Sequence, residues 1–175
     1  MKPSPLLSQV PVLETERLLM RAPQAEDYAV YSEFFADAEA SHFYGGPFSA
    51  EQTWRLLATD IGHWVLRGYG RWAVIEKTSG KMIGGCGLWW PEGYPRRELT
   101  WWIVPSARRH GYALEASRAV VRFGYRTLGL DLVETHTKDT NLAAQGLIAK
   151  LGGTVFAREL FPDGHTRNVY ALPDV

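Results

Sequence analysis

The chain has a single cysteine, Cys86, among its 175 residues. That excludes an internal disulfide and a cysteine-based zinc cluster. Neither charge is in excess, since Lys plus Arg number 19 and Asp plus Glu number 19. A nucleic-acid or membrane-surface binder generally carries a basic surplus, so neither partner is expected. No apolar run approaches the roughly 20 residues needed to span a bilayer. The first twelve residues lack the apolar stretch of a secretory signal. These absences point to a cytoplasmic protein. The five histidines are scattered without ligand spacing, so no metal is expected. No repeat, low-complexity tract or linker divides the chain, and residues 1–175 read as one domain. Three prolines among residues 1–11 mark residues 1–12 as a loose arm.

Large aromatics, by contrast, are plentiful: seven Trp, eight Tyr and seven Phe. One small core does not need so many rings, and some are expected to line a cavity. Residues 16–21 read as a short strand. After Pro23, Tyr28, Tyr31, Phe34, Phe35 and Ala38 recur at helical spacing. Residues 42–48 are a glycine- and proline-bearing aromatic loop. Ser49 with Gln52 forms a capping-box pair that opens a second helix, along which Trp54, Leu57, Ile61 and Trp64 make one stripe. Strands over 71–76 and 82–90 flank the hairpin signal Thr78-Ser79-Gly80. A fourth strand over 97–104 stops at Pro105. A helix follows Gly111, a strand covers 132–137, and a helix runs from Asn141 to Gly152. Strands over 155–161 and 167–172 close the chain as a hairpin around Pro162-Asp163-Gly164. The order β-α-α-β-β-β-α-β-α-β-β predicts an α/β (α+β) layered fold, with about seven strands and four helices.

The segment from Val104 to Ala116 carries the chemistry. A strand ends, a turn with Arg108, Arg109, His110 and Gly111 follows, and Tyr112 and Ala113 begin a helix. Helix N-termini expose unpaired N–H groups and partial positive charge, and so bind phosphate where small residues let it approach. The plain alternative is a strand-to-helix turn with surface arginines. A Walker loop is absent. The run Gly84-Gly85-Cys86-Gly87 leads into no helix, which argues against a dinucleotide fingerprint and for a bulge or close backbone approach. With no base suggested beside it, Cys86 reads as a buried strand thiol.

Arg108-x-x-Gly111-x-Ala113 resembles the pyrophosphate motif of the GNAT acetyltransferases, Gln/Arg-x-x-Gly-x-Gly/Ala, between the fourth strand and the third helix. The surrounding sequence is similar to the branch that acetylates the N-termini of ribosomal proteins. The similar segments are Thr15-Glu16-Arg17-Leu18-Leu19-Met20-Arg21, Met82-Ile83-Gly84-Gly85-Cys86-Gly87-Leu88, Glu98-Leu99-Thr100-Trp101-Trp102-Ile103-Val104-Pro105, and Asn141-Leu142-Ala143-Ala144 with Lys150-Leu151-Gly152. Five motifs in family order span about residues 13–172.

The resemblance implies a mixed sheet splayed between the strands ending near Val104 and starting near Leu132. Acetyl-CoA would be the acetyl donor and a primary amine the acceptor, either a peptide N-terminus or a small molecule, with a homodimer left open. The amides of Arg108, Arg109, His110, Gly111, Tyr112 and Ala113 would hold the pyrophosphate, and Asn141 the pantetheine arm. Asn is also a favoured helix N-cap. A backbone N–H of Ile103 or Val104 would meet the oxyanion. Glu98 would be the base, acting through water; its plain alternative is a strand glutamate paired with Arg96 or Arg97. Where the branch often has a serine near the leaving thiolate, this chain has Ala144, and the helix from Asn141 to Lys150 holds no tyrosine. Two other functions stay open: an acyl-CoA sensor without turnover, and a polyamine or aminoglycoside acetyltransferase, which an acidic acceptor cleft would favour. The acceptor side would draw on Phe34, Phe35, His42, Phe43, Tyr44, Trp54 and Trp64. Of these, Phe43 and Tyr44 lie in a loop and are the better pocket candidates.

Overall fold

The structure, a computed structural model, describes residues 5–174. In chain order the elements are β1 (Leu13–Glu14), β2 (Leu18–Arg21), α1 (Tyr28–Ala36), α2 (Ala50–Arg67), β3 (Arg71–Glu76), β4 (Met82–Trp89), β5 (Glu98–Ile103), α3 (Tyr112–Arg126), β6 (Val133–Thr137), α4 (Leu142–Lys150), β7 (Thr154–Leu160) and β8 (Thr166–Leu172). The eight strands form one sheet in the order β1-β2-β3-β4-β5-β6-β8-β7. The layered α/β expectation holds. The added strand is the two-residue β1, which pairs Leu13 with Met20 and is too short to leave a sequence period.

Of the loose arm expected over residues 1–12, residues 1–4 lie outside the described residues, and residues 5–12 pack against the fold. Pro5–Gln9 is a 3-10 turn, Leu7 and Val10 are buried, and Pro11 O accepts from Trp72 Nε1 at 2.7 Å. Proline lacks an N–H but keeps its carbonyl, and here the carbonyl does the anchoring.

The sheet is antiparallel except at one place. β5 and β6 run parallel, joined through α3, and share a single register pair, Glu98 with Glu134. Beyond it the strands part, with one added link, Thr135 Oγ1 donating to Leu99 O at 2.8 Å. Pro105 ends β5, and β6 runs on to pair with β8 from Val133 to Thr137. The expected splay is therefore present.

Period-2 alternation sorts side chains to the two faces. Trp102 points toward α1, where it packs against Tyr31, Phe34 and Phe35 at centroid distances of 4.7 to 5.3 Å. On the opposite face, Trp72 meets Phe123 of α3 and Cys86 lies beside Ser117. Phe34, Phe35 and Trp64, considered above for an acceptor pocket, are core residues. The glycines of β4 are set by close approach. A Cβ on Gly87 would fall 2.1 Å from Gly70 O, and one on Gly84 2.1 Å from Trp102 O. The β3–β4 register also shifts between Val74 and Ile75, as a bulge would require.

Candidate active site

The parting of β5 and β6 opens a cleft of about 1230 Å³. That exceeds the roughly 300–1,000 Å³ of a single small-ligand pocket and leaves room for two substrates. Its walls include Trp89, Glu98, Trp101 and Ile103, the turn before α3 (Arg108, Arg109 and Gly111 to Leu114, without His110), His136, and the start of α4.

An antiparallel ladder alternates the direction of its N–H groups. Val104 N–H is donated to Ile83 O at 2.9 Å, on the β4 side. Ile103 N–H must therefore point the other way, into the gap. The carbonyls on that side confirm the alternation: Ile103 O accepts from Arg108 Nε at 3.0 Å and Trp101 O from Tyr44 Oη at 2.6 Å. Of the two residues expected as oxyanion donors, Val104 is thus already engaged, and Ile103 faces the gap.

The turn before α3 is built of left-handed residues. Arg109 has φ 66° and Gly111, the N-cap, φ 83°. A non-glycine residue there costs roughly 1–2 kcal/mol and persists only when its surroundings hold it. α2 and α4 are capped by the side chains of Ser49 and Asn141, but Gly111 offers α3 no side-chain cap. The N–H groups of Tyr112, Ala113 and Leu114 start the helix without a carbonyl four residues back, at its positive end. The Arg108 side chain does not join them. It reaches back to Ile103 O and Ala40 O, tying the end of β5 to the loop after α1.

Glu115, one turn into α3, braces this turn. It accepts from Thr15 Oγ1 at 2.6 Å, from Arg17 N at 2.9 Å and from Arg17 Nε at 2.7 Å, and Arg17 Nη1 donates to His110 O. The Thr15-x-Arg17 signature is thereby a clamp on the turn before α3. Burial alone would raise the Glu115 carboxyl, but the Thr15 and Arg17 hydrogen bonds outweigh it and hold the group below its ordinary value. A depressed carboxyl pKa stabilises above the unfolded value of about 4.3 and is lost as pH falls through the folded one. Glu115→Gln is accordingly expected to weaken acetyl-CoA binding several-fold at pH 7 with the fold retained. Calorimetry finding unchanged affinity would remove the brace.

Glu98 opens the opposite wall, 8% exposed, on the same sheet face as Trp102. It pairs with neither Arg96 nor Arg97. Arg96 instead bridges Glu134 at 2.8 Å and Glu159 at 2.8 Å, closing the end of the gap. The partner of Glu98 is His136 of β6, whose Nε2 lies 2.5 Å from Oε2 as a close pair outside hydrogen-bond alignment. The His136 ring packs 4.0 Å from that of Phe161. Sequence reasoning gave His136 no role, because only the parallel register of β5 and β6 brings it to Glu98.

A second cluster was also invisible in the sequence. Asp60 of α2, wholly buried, receives Arg71 Nε at 2.8 Å, Arg71 Nη2 at 2.6 Å and Tyr31 Oη at 2.8 Å. Burial pushes the Asp60 carboxyl up, and Arg71 and Tyr31 pull it back. The guanidinium lies over the Trp89 ring at 4.1 Å. His63 stacks on Trp89 as well; Nε2 accepts from Trp90 N at 3.0 Å, so the ring proton sits on Nδ1, facing Tyr69 O at 2.6 Å. Removing one member of a buried ion pair typically costs about 3–5 kcal/mol.

Asn141 Oδ1 accepts from Ala144 N at 3.1 Å, so the capping role is present, and both residues line the cleft. His42, Phe43 and Tyr44 line it too, whereas Trp54 lies exposed away from it. Burial pushes the Cys86 thiol up to about 12, leaving it inert. Among the described residues no group of three His, Cys, Asp or Glu side chains could hold a metal, and no helix is long and apolar enough to cross a membrane.

The site joins a splayed mixed sheet to a bare helix N-terminus at the mouth of the gap, where backbone amides can meet an anionic ligand. Residues 17–154 match the acetyltransferase (GNAT) domain, and the chain belongs to that family. It is 26% identical over 170 residues to the uncharacterized N-acetyltransferase YoaA of Bacillus subtilis (strain 168), covering 93% of this chain and 96% of that one. It is likewise 26% identical over 142 residues to the uncharacterized N-acetyltransferase p20 of Bacillus licheniformis, covering 79% and 80%. Among solved structures, an acetyltransferase from Agrobacterium tumefaciens str. C58 superposes with a TM-score of 0.87 at 27% identity over 94% of this chain and 95% of that one. RimL, a ribosomal L7/L12 α-N-protein acetyltransferase solved with coenzyme A, shares the fold with a TM-score of 0.76 at 17% identity, over 94% and 99%.

Proposed function

We propose that this protein, acting as one domain in the cytoplasm, transfers the acetyl group of acetyl-CoA directly to a primary amine held against Glu98. The observation that carries the reading is the gap itself. Its mouth offers the free amides of α3, its wall the Ile103 N–H, and its floor a carboxylate. In this reading the backbone from Arg108 to Ala113 receives the pyrophosphate, and the RimL complex with coenzyme A supports the same kind of ligand here. Asn141 fixes the start of α4 beside the pantetheine arm. The amine lone pair attacks the thioester carbon, a C–N bond forms, and Ile103 N–H stabilises the oxyanion. The C–S bond then breaks and the CoA thiolate leaves. The amine proton passes through water to Glu98, which His136 holds in place. One well-placed oxyanion donor is typically worth on the order of 3 kcal/mol.

Ala144 favours a second reading, a CoA-binding module without turnover, because it leaves no side-chain acid at the start of α4. A thiol pKa near 8.5 makes the thiolate a tolerable leaving group, and water can supply the proton. Ala144→Ser adds one hydroxyl on the cleft side of the first turn of α4. It is expected to raise the single-turnover rate by up to about 10²-fold, the usual scale of acid help. An unchanged rate would mean that water already suffices or that the residue does not face the sulfur. Acetyl-CoA binding without turnover in both forms would select the module.

A further inference from the structure

We propose that the acceptor carries a carboxylate close to its amine, as an α-amino acid does, and that Arg71 receives this carboxylate while Glu98 faces the nitrogen. The inference rests on the acetyltransferase reading and names its substrate class.

Register brings the two groups together. Glu98 pairs directly with Trp89 across β4 and β5, and Arg71 pairs with Gly87 across β3 and β4. Gly87 and Trp89 are two residues apart, so Arg71, Trp89 and Glu98 project from one face. The Arg71 guanidinium lies over the Trp89 ring at 4.1 Å, which places the cation over the immediate cross-strand neighbour of the proposed base. All three residues line the cleft. Tyr94 lines the same cleft; burial pushes its hydroxyl up, and Glu98 adds to that while Arg71 opposes it.

Arg71 is built as a fixed binding group. It is 6% exposed, with Nε and Nη2 turned to Asp60 Oδ1 and Nη1 outside that pair. Apolar residues of similar volume generally serve stability at least as well as a buried ion pair. A buried pair on the wall of a cleft therefore points to use of the cation. Held by Asp60 and Trp89 before any ligand arrives, the guanidinium presents a planar donor edge that suits a carboxylate.

The other charges disfavour a polycation. Asp163 on the cleft wall is already paired with Arg167 and lies 4.0 Å from Lys138. The lining thus carries three carboxylates, Glu39, Glu98 and Asp163, against six Lys and Arg side chains, and of the three Glu98 shares the sheet face of Arg71. That excess of cations suits an acceptor that brings its own carboxylate, and it mismatches an aminoglycoside or polyamine.

The test is made first on the wild-type protein. With saturating acetyl-CoA, CoA release is measured for a set of α-amino acids, their carboxamides and the corresponding decarboxylated amines. The free acids are expected to lead in kcat/KM by at least about tenfold, mainly through KM. Carboxamides or simple amines that match or exceed the acids would overturn the inference and leave the acetyltransferase reading standing. Turnover of no amine by protein that binds acetyl-CoA would sink both. In Arg71→Lys, which keeps the charge but loses the fork, the acid-over-amide preference should shrink toward one. Should that variant unfold, the paired change Asp60→Asn with Arg71→Met removes the cation without leaving a buried carboxylate. A preference that survives in the folded variant contradicts the role of Arg71.

Discussion

Glu98→Gln is expected to lower the single-turnover rate of acetyl transfer by about 10²- to 10³-fold, with acetyl-CoA affinity unchanged. A positioned base is typically worth 10²–10⁴. Glutamine keeps the shape of the side chain and cannot take a proton. Glu98 lies on the α1 face of β5, whereas the free amides expected to hold the cofactor lie at the start of α3, so donor binding should be spared. The deficit should widen at lower pH. An α-amine titrates near 8 and a lysine-like amine near 10.4, so less of either is neutral as pH falls, and the need for a base grows. His136→Gln should reproduce part of the loss, because His136 Nε2 lies 2.5 Å from the Glu98 carboxylate. A rate and pH profile equal to wild type in Glu98→Gln would mean that the amine enters already neutral and that Glu98 is structural.

Gly111→Val is expected to weaken acetyl-CoA binding by about tenfold or more while leaving the protein folded. The sequence suggests that a new side chain would fill phosphate space, but the structure gives a different cause. A Cβ at Gly111 would come 3.4 Å from Arg17 Nη2, on the side of the clamp, and within 4 Å of nothing else beyond its chain neighbours. Its φ of 83° is the larger obstacle, because a β-branched residue is strongly disfavoured in that region. The turn would relax, and the amides of Tyr112 to Leu114 would turn away from a common point. A strain of 1–2 kcal/mol corresponds to roughly a tenfold loss. Gly111→Ala should show a smaller loss of the same kind. Calorimetry giving wild-type affinity for the folded valine variant would contradict the assignment of the turn.

Local chemistry was legible in the sequence where the signal itself was local. The Ser49–Gln52 capping box, the Asn141 cap and the glycine opening α3 all depend on residues a few positions apart, and each is present. The splay was legible because Pro105 stops β5 and the element order forces a parallel neighbour. What stayed hidden depends on register. Asp60 of α2 finds its partner only when Arg71 of β3 is brought against it. His136 lies 38 residues beyond Glu98 and meets it only through the one parallel pair of β5 and β6. The choice between Ile103 and Val104 needs the β4–β5 ladder, since composition does not say which N–H faces the gap. Arg108 counts as positive charge in the sequence, but its side chain turns inward to two carbonyls.

The central claim is acetyl transfer to an amine in the β5–β6 gap, and acceptor-dependent release of CoA thiol by the pure protein tests it most directly. The assay follows thiol release from acetyl-CoA across amino acids, peptides with free N-termini, simple amines and polyamines, with mass spectrometry of the acceptor. Release matched one for one by an N-acetylated acceptor, and largely lost in Glu98→Gln, is the predicted result. Tight acetyl-CoA binding with no acceptor-dependent release from any amine would contradict it.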